Sequence, residues 1–184
     1  MSVICIQENT VDIDRLKSEV GVIRREHGGI NQISINNNGT DNDFEGGNNR
    51  SKIPWTFKNL NSRFKDTYIS ELISEFPEYF RWRIMCIKPK STYSIHADHY
   101  NMKEKYDNIR VHIPVFTNPE CYLMFFEKEL KDQGKQIVEY YNLKEGNIYK
   151  ANTSRLHTAF NFDMERERIH IVGETFLLKD EYNV

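Results

Sequence analysis

Residues 80–98 read FRWRIMCIKPKSTYSIHAD. From residue 79 onward the hydrophobic period is two, which signals strand, and Pro89-Lys90-Ser91 marks a turn between Phe80–Lys88 and Thr92–Asp98. The same punctuation continues downstream. It predicts further strands at Ile109–Phe116, Cys121–Phe126, Gln136–Tyr141, Asn147–Lys150, Leu156–Phe160 and Arg168–Phe176. Thr117-Asn118-Pro119, Asp132-Gln133-Gly134 and Glu145-Gly146 are turn signals between them. About eight short strands with few helix-length gaps predict an antiparallel double-sheet roll.

Upstream of residue 79 the period is helical. Residues 10–26 place Ile13, Leu16, Val20 and Ile23 on one stripe, with Thr10 as a candidate cap and Gly28-Gly29 as the stop. A second helix is predicted over 61–76, where Phe64, Tyr68, Leu72 and Phe76 recur every four residues and Pro77 ends the run. Residues 31–35 suggest a short strand. Residues 36–51 are Asn- and Gly-rich with almost nothing to bury, and are expected to be a mobile loop, either a solvated connector or a lid. The expected architecture is α+β, mainly β. It is one domain over 1–184, with a helical N-terminal part (1–78) packed on a β core (79–178).

The chain has 184 residues, enough for one real core, with 39% apolar and 28% charged residues. A formal net charge of -2 argues against a nucleic-acid binder that works by bulk electrostatics. Three cysteines, Cys5, Cys86 and Cys121, form neither a disulfide framework nor a CxxC site. No secretory signal and no run of about 20 apolar residues is evident, so a soluble cytoplasmic protein with no membrane association is expected.

The chemistry-bearing residues begin at His96-Ala97-Asp98. In a strand, side chains two apart share a face, so His96 and Asp98 point the same way and His99 the opposite way. His157 lies 59 residues beyond Asp98, at the start of a late strand, and is the natural third ligand. Two neutral imidazoles and one carboxylate on one face of an octahedron leave three positions open, the usual ligand set of non-haem Fe(II) oxygenases. HxD by itself is a weak signal. Arg168 follows His157 by 11 residues and enters the apolar strand Ile169-His170-Ile171-Val172. A guanidinium directed into a barrel is costly unless a carboxylate or other partner meets it, and its fork suits bidentate carboxylate binding. Either a ligand supplies that carboxylate, or Glu165, Glu167 or Glu174 does.

Four segments, RWRIMCIKPKSTYSIHAD (81–98), RVHIPVFTN (110–118), GNIYKANTSRLHTAFN (146–161) and RIHIV (168–172), together resemble the aspartyl/asparaginyl β-hydroxylase-like family of Fe(II)/2-oxoglutarate-dependent dioxygenases. The resemblance spans about residues 80–176. It implies a double-stranded β-helix, or cupin-like jelly roll. It implies His96, Asp98 and His157 as iron ligands, Arg168 on the C5 carboxylate of 2-oxoglutarate, and His112 at its C1 end. Arg110 shares a strand face with His112 and is expected to point inward, as a cosubstrate or substrate cation. The implied reaction uses Fe(II), 2-oxoglutarate and O2 to hydroxylate a C–H bond, releasing succinate and CO2.

The substrate is expected to be a small, amino-acid-like acid or a peptidyl Asp, Asn or Pro side chain. Arg81, Arg83 and Arg110 are candidates for its carboxylate, and Tyr93, Tyr100 and Asn118 for the mouth of its pocket. His27 reads as surface, and His170 as a hydrogen-bonded core histidine. Two rival readings are a cupin-type metalloenzyme that does not use 2-oxoglutarate and a non-catalytic jelly-roll binding module.

Overall fold

The computed structural model describes residues 1–42, 54–98, 105–127 and 137–179. In chain order the elements are β1 (Val3–Gln7), α1 (Ile13–Glu26), β2 (Gln32–Ser34), β3 (Asn36–Asn37), β4 (Asn59–Leu60), α2 (Tyr68–Ser74), β5 (Phe80–Ile87), β6 (Ser91–Thr92), β7 (Tyr106–Phe116), β8 (Cys121–Phe126), β9 (Ile137–Tyr141), β10 (Ile148–Asn152), β11 (His157–Asn161) and β12 (Arg168–Leu178). A six-stranded sheet runs β1-β10-β7-β12-β5-β2, and a four-stranded sheet runs β6-β11-β8-β9. The pairings within both are antiparallel.

The larger sheet is buried on both faces, which explains why β5, β7 and β12 are so apolar. Its outer face presents Ile84, Cys86, Val111, Ile113, Ile148 and Ile171. These share one cluster with Leu16, Val20 and Ile23 of α1 and Ile69, Leu72 and Ile73 of α2. Each such side chain, fully buried, contributes roughly 1.5–3 kcal/mol. Its inner face faces the smaller sheet: Val3, Ile87, Tyr149 and Ala151 pack against Leu123, Phe125 and Ala159. This is a double-stranded β-helix with the helices on the outside of its larger sheet, as expected.

Four local expectations need correction. The cap of α1 is Asp12, whose Oδ1 accepts from the Arg15 amide at 3.1 Å; the Thr10 amide instead donates to the Gly146 carbonyl. The predicted helix over 61–76 is broken: a 3-10 turn at Ser62–Phe64 stops before Asp66, which sits at φ 57°, and Thr67 starts α2 afresh by accepting from the Ser70 amide. The N-terminal part is not purely helical, since β1 and β2 form the two edges of the larger sheet. The start of the expected loop 36–51 is also buried. Asn36 Oδ1 accepts the Trp82 amide at 2.9 Å, and Asn37 donates to Asn61, so these side chains replace sheet hydrogen bonds. The rest of that loop, from residue 43, lies outside the described residues, as do His99 and Tyr100.

Candidate metal and cosubstrate site

The segment after β6 is not the continuous strand predicted for 92–98. It is held at separate points, against β11 and against the chain just after β10. The His96 and His157 amides each donate to the other's carbonyl, at 3.0 and 2.8 Å, and the Asp98 amide donates to the Thr153 carbonyl at 2.8 Å. This backbone bridge brings residues 61 apart in sequence face to face.

The side chains then converge. Nε2 of His96 is 3.5 Å from Asp98 Oδ1, Nε2 of His157 is 3.8 Å from Asp98 Oδ2, and the ligand atoms of all three lie within 4.8 Å of one another. A first-row dication held at roughly 2.1 Å needs neighbouring ligand atoms about 3 Å apart on an octahedral face, so small side-chain adjustments complete the set. The tautomers already suit a metal. The His96 Nδ1 lies 2.7 Å from the Ser94 carbonyl and the His157 Nδ1 lies 2.9 Å from the Arg155 carbonyl. A carbonyl only accepts, so each Nδ1 carries the proton and each Nε2 turns its lone pair toward Asp98.

Two of the three charge states suit a metal. Burial would raise the Asp98 carboxyl, but Arg110 and the two histidines outweigh it and hold it well below the usual carboxylate range. Burial lowers His157 to about 4, so it is neutral at neutral pH. The more exposed His96 is raised, chiefly by its contact with Asp98.

The imidazoles of His96 and His157 open onto a cleft whose lining includes His112, Arg110 and Arg168. The strand register orders these groups. Glu174 of β12 pairs with Arg110 of β7, Val172 with His112, and Arg168 lies four residues further along β12. Met85, Leu123, Ala159 and Val172 supply apolar wall, and Tyr93 also lines the cleft. Met85, Leu123, Ala159, Val172 and the Asp98-binding Thr153 were missed by sequence reasoning; strand parity alone would have turned Met85 and Val172 inward beside Arg83 and Arg168.

Arg168 is 4% exposed and has no acidic partner among the described residues. Burial lowers its pKa from the usual 12.5 to about 10. The glutamates that might have neutralised it are engaged elsewhere or exposed. Glu167 pairs with Arg24 of α1, Glu174 with Arg83, Arg81 and Arg110, and Glu165 lies at the surface. Arg110 enters the cleft as expected, yet lies against protein carboxylates, 2.8 Å from Asp98 Oδ2 and 3.7 Å from Glu174 Oε1. Arg81 and Arg83 join it around Glu174, which has zero exposure. Asn118 is not part of the cleft lining; it caps the turn after β7 by accepting the Glu120 amide.

No family model and no curated protein matches this chain by sequence. Solved structures do match it. SnoN, a non-heme alpha ketoglutarate dependent epimerase from nogalamycin biosynthesis, superposes with a TM-score of 0.55 at 10% identity, over 96% of this chain and 78% of its own. HygX from Streptomyces hygroscopicus, solved with nickel and 2-oxoglutarate bound, gives 0.55 at 7% identity, over 94% and 81%. This chain has the fold of the non-haem 2-oxoglutarate-dependent enzymes. EvdMO1 gives 0.56 at 16% identity over 95% of this chain, which spans only 46% of EvdMO1. Among the described residues, no helix is long and apolar enough to cross a membrane.

Proposed function

We propose that the chain is an Fe(II)- and 2-oxoglutarate-dependent oxygenase that hydroxylates a C–H bond of a small amino-acid-like substrate or of an Asp, Asn or Pro side chain. The observation that carries this reading is Arg168. A buried guanidinium without an acidic partner among the described residues lines the same cleft as His96 and His157, whose imidazoles stand with the Asp98 carboxylate in an arrangement suited to a metal. A cavity designed only for packing would not keep an uncompensated cation, because burying one costs several kcal/mol. The binding of nickel and 2-oxoglutarate by HygX, on the same fold, is consistent with this reading.

On this reading His96, Asp98 and His157 hold the iron, and Arg168 fixes the distal carboxylate of 2-oxoglutarate. When bound, the iron supplies the reaction of O2 with 2-oxoglutarate that gives succinate and CO2 and passes one oxygen atom to the substrate. The chain's own contribution is order and dryness. The Ser94 and Arg155 carbonyls fix both imidazole tautomers, and Arg110 keeps Asp98 ionised for the metal. Leu123, Ala159 and Val172 limit water around the reacting groups.

The test is anaerobic. Protein mixed with Fe(II) and 2-oxoglutarate is expected to show the weak visible metal-to-ligand charge-transfer band. Asp98→Ala and Arg168→Ala are each expected to abolish it at cosubstrate concentrations that saturate the parent. If both variants keep the band, the residue assignments fail. Succinate release across a panel of amino acids and short peptides then addresses the substrate.

A further inference from the structure

The turn between β10 and β11, residues 153–156, holds two of the three candidate ligands at once. The Thr153 carbonyl accepts the Asp98 amide at 2.8 Å, and the Arg155 carbonyl lies 2.9 Å from His157 Nδ1. Moving this turn therefore moves both ligands. Its ends are pinned by backbone bonds: the Thr153 amide donates to the Asn108 carbonyl at 3.0 Å, and the Leu156 carbonyl accepts the Phe126 amide at 2.9 Å. At Arg155 the tie is the side chain.

Strand register aligns what Arg155 reaches. Glu139 of β9 pairs with Phe125 of β8, and Phe125 pairs with His157 of β11, so the three form one row across the smaller sheet. The Arg155 guanidinium leans over Phe125, 5.8 Å from its ring centroid, and the Phe125 and His157 rings are 5.9 Å apart. Its Nη1 then meets Glu139 Oε1 and the Ser2 hydroxyl. The same glutamate accepts the Ser2 amide at 2.8 Å and the Tyr141 hydroxyl. Ser2 leads into β1, an edge of the larger sheet, and β9 is an edge of the smaller one. Glu139 thus clasps two sheet edges together and ties the ligand-bearing turn to them.

We propose that Glu139 is a positioning residue for the metal centre. Through Arg155 it fixes the turn whose carbonyls hold the His157 ring and the Asp98 backbone. Groups that orient metal ligands in this way typically account for about 10–100-fold in metal affinity. The assignment rests on His96, Asp98 and His157 being a metal site.

The test titrates Co(II), followed by its visible d–d absorption, into parent and variants well below their melting temperatures and without 2-oxoglutarate. Glu139→Gln, which removes the charge at nearly constant shape, is expected to weaken Co(II) binding by about ten-fold. Arg155→Met keeps a stem over Phe125 but drops the guanidinium, and should weaken it equally. The double variant should be no weaker than either single one, because both break the same link. Arg155→Lys, which keeps a cation for Glu139, should recover part of the loss. Parent-like affinity in the Gln or the Met variant overturns the assignment. Losses that add in the double variant, or a Lys variant as weak as the Met one, also overturn it, since they mark separate packing effects. Parent protein that binds no Co(II) defeats the metal-site reading and the assignment with it. Should Glu139→Gln not fold, the Arg155 variants decide: a weakened Met variant with recovery in Lys supports the assignment, and a parent-like Met variant overturns it.

Discussion

Replacing Arg168 with methionine should separate binding from stability, because the two effects have opposite signs. Lowering the Arg168 pKa from 12.5 to about 10 corresponds to roughly 3 kcal/mol spent holding that charge where it is buried. Methionine fills a similar volume without a charge, and such replacements of buried ions are often neutral or stabilising by about 1–4 kcal/mol. The metal-free, cosubstrate-free variant is therefore expected to melt at or above the parent temperature. Ligand binding should move the other way. Removing one partner of a buried charge pair costs about 2–5 kcal/mol, or roughly 30-fold to several-thousand-fold in Kd for 2-oxoglutarate. The assay is thermal unfolding with and without 2-oxoglutarate, under anaerobic Fe(II). At about 100 times Kd the parent gains about 2.7 kcal/mol. For a chain of this size that is a rise of about 5–11 °C. The Met variant should show almost none of that rise. An unliganded variant clearly less stable than the parent would mean that Arg168 has a favourable native partner beyond the His170 Nδ1. A variant with the full cosubstrate-induced rise would mean that Arg168 does not hold the carboxylate. Either result refutes the reasoning.

Two predictions concern the scaffold. A Cβ on Gly173 would come within 2.6 Å of the Trp82 indole, itself enclosed by Phe76 and Tyr79, so Gly173→Ala should cost about 1–3 kcal/mol. A lowered urea midpoint with an unchanged slope checks this, and an unchanged midpoint contradicts it. Burial raises Glu139, but bonds from Tyr141, Arg155 and Ser2 outweigh that and bring it to about 2. A lowered carboxylate pKa gives stability that is fully present above the usual 4.5 and is lost as pH falls toward about 2. Glu139→Gln should therefore be less stable at pH 7 and lose less on acidification from pH 5 to pH 2; an acid limb parallel to that of the parent would argue otherwise.

Much of the β core was legible because period-two patterning and turn residues are local signals. Phe80–Ile87, Cys121–Phe126 and Arg168–Leu178 stand within two residues of expectation. The helix over 61–76 misled because its apolar spacing is real but interrupted. Phe64 and Leu72 both reach the same core from separate helical turns, with Asp66 reversing the chain between them. The edge strand Val3–Gln7 was missed because five residues carry little periodicity and its pairing with Ile148–Asn152 is far along the chain. The choice among acidic partners for Arg168 was partly open to simple geometry. Glu167 is adjacent on the strand and so faces the other way, and Glu174 is six residues on, roughly 20 Å along the strand.

The candidate site divides in the same way. Sequence alone supplied His96, Asp98, His157 and Arg168 as residue types whose chemistry fits together, because ligand identity and same-face spacing are written locally. Only the folded chain decided that the His96–His157 backbone bridge sets the two imidazoles beside one carboxylate. It also decided that Arg110 turns to Asp98 and Glu174 while Arg168 meets no acid among the described residues. Such pairings depend on which strands become neighbours and in what register. Those are set by the burial of two sheet faces at once, a sum over distant residues that no local window contains.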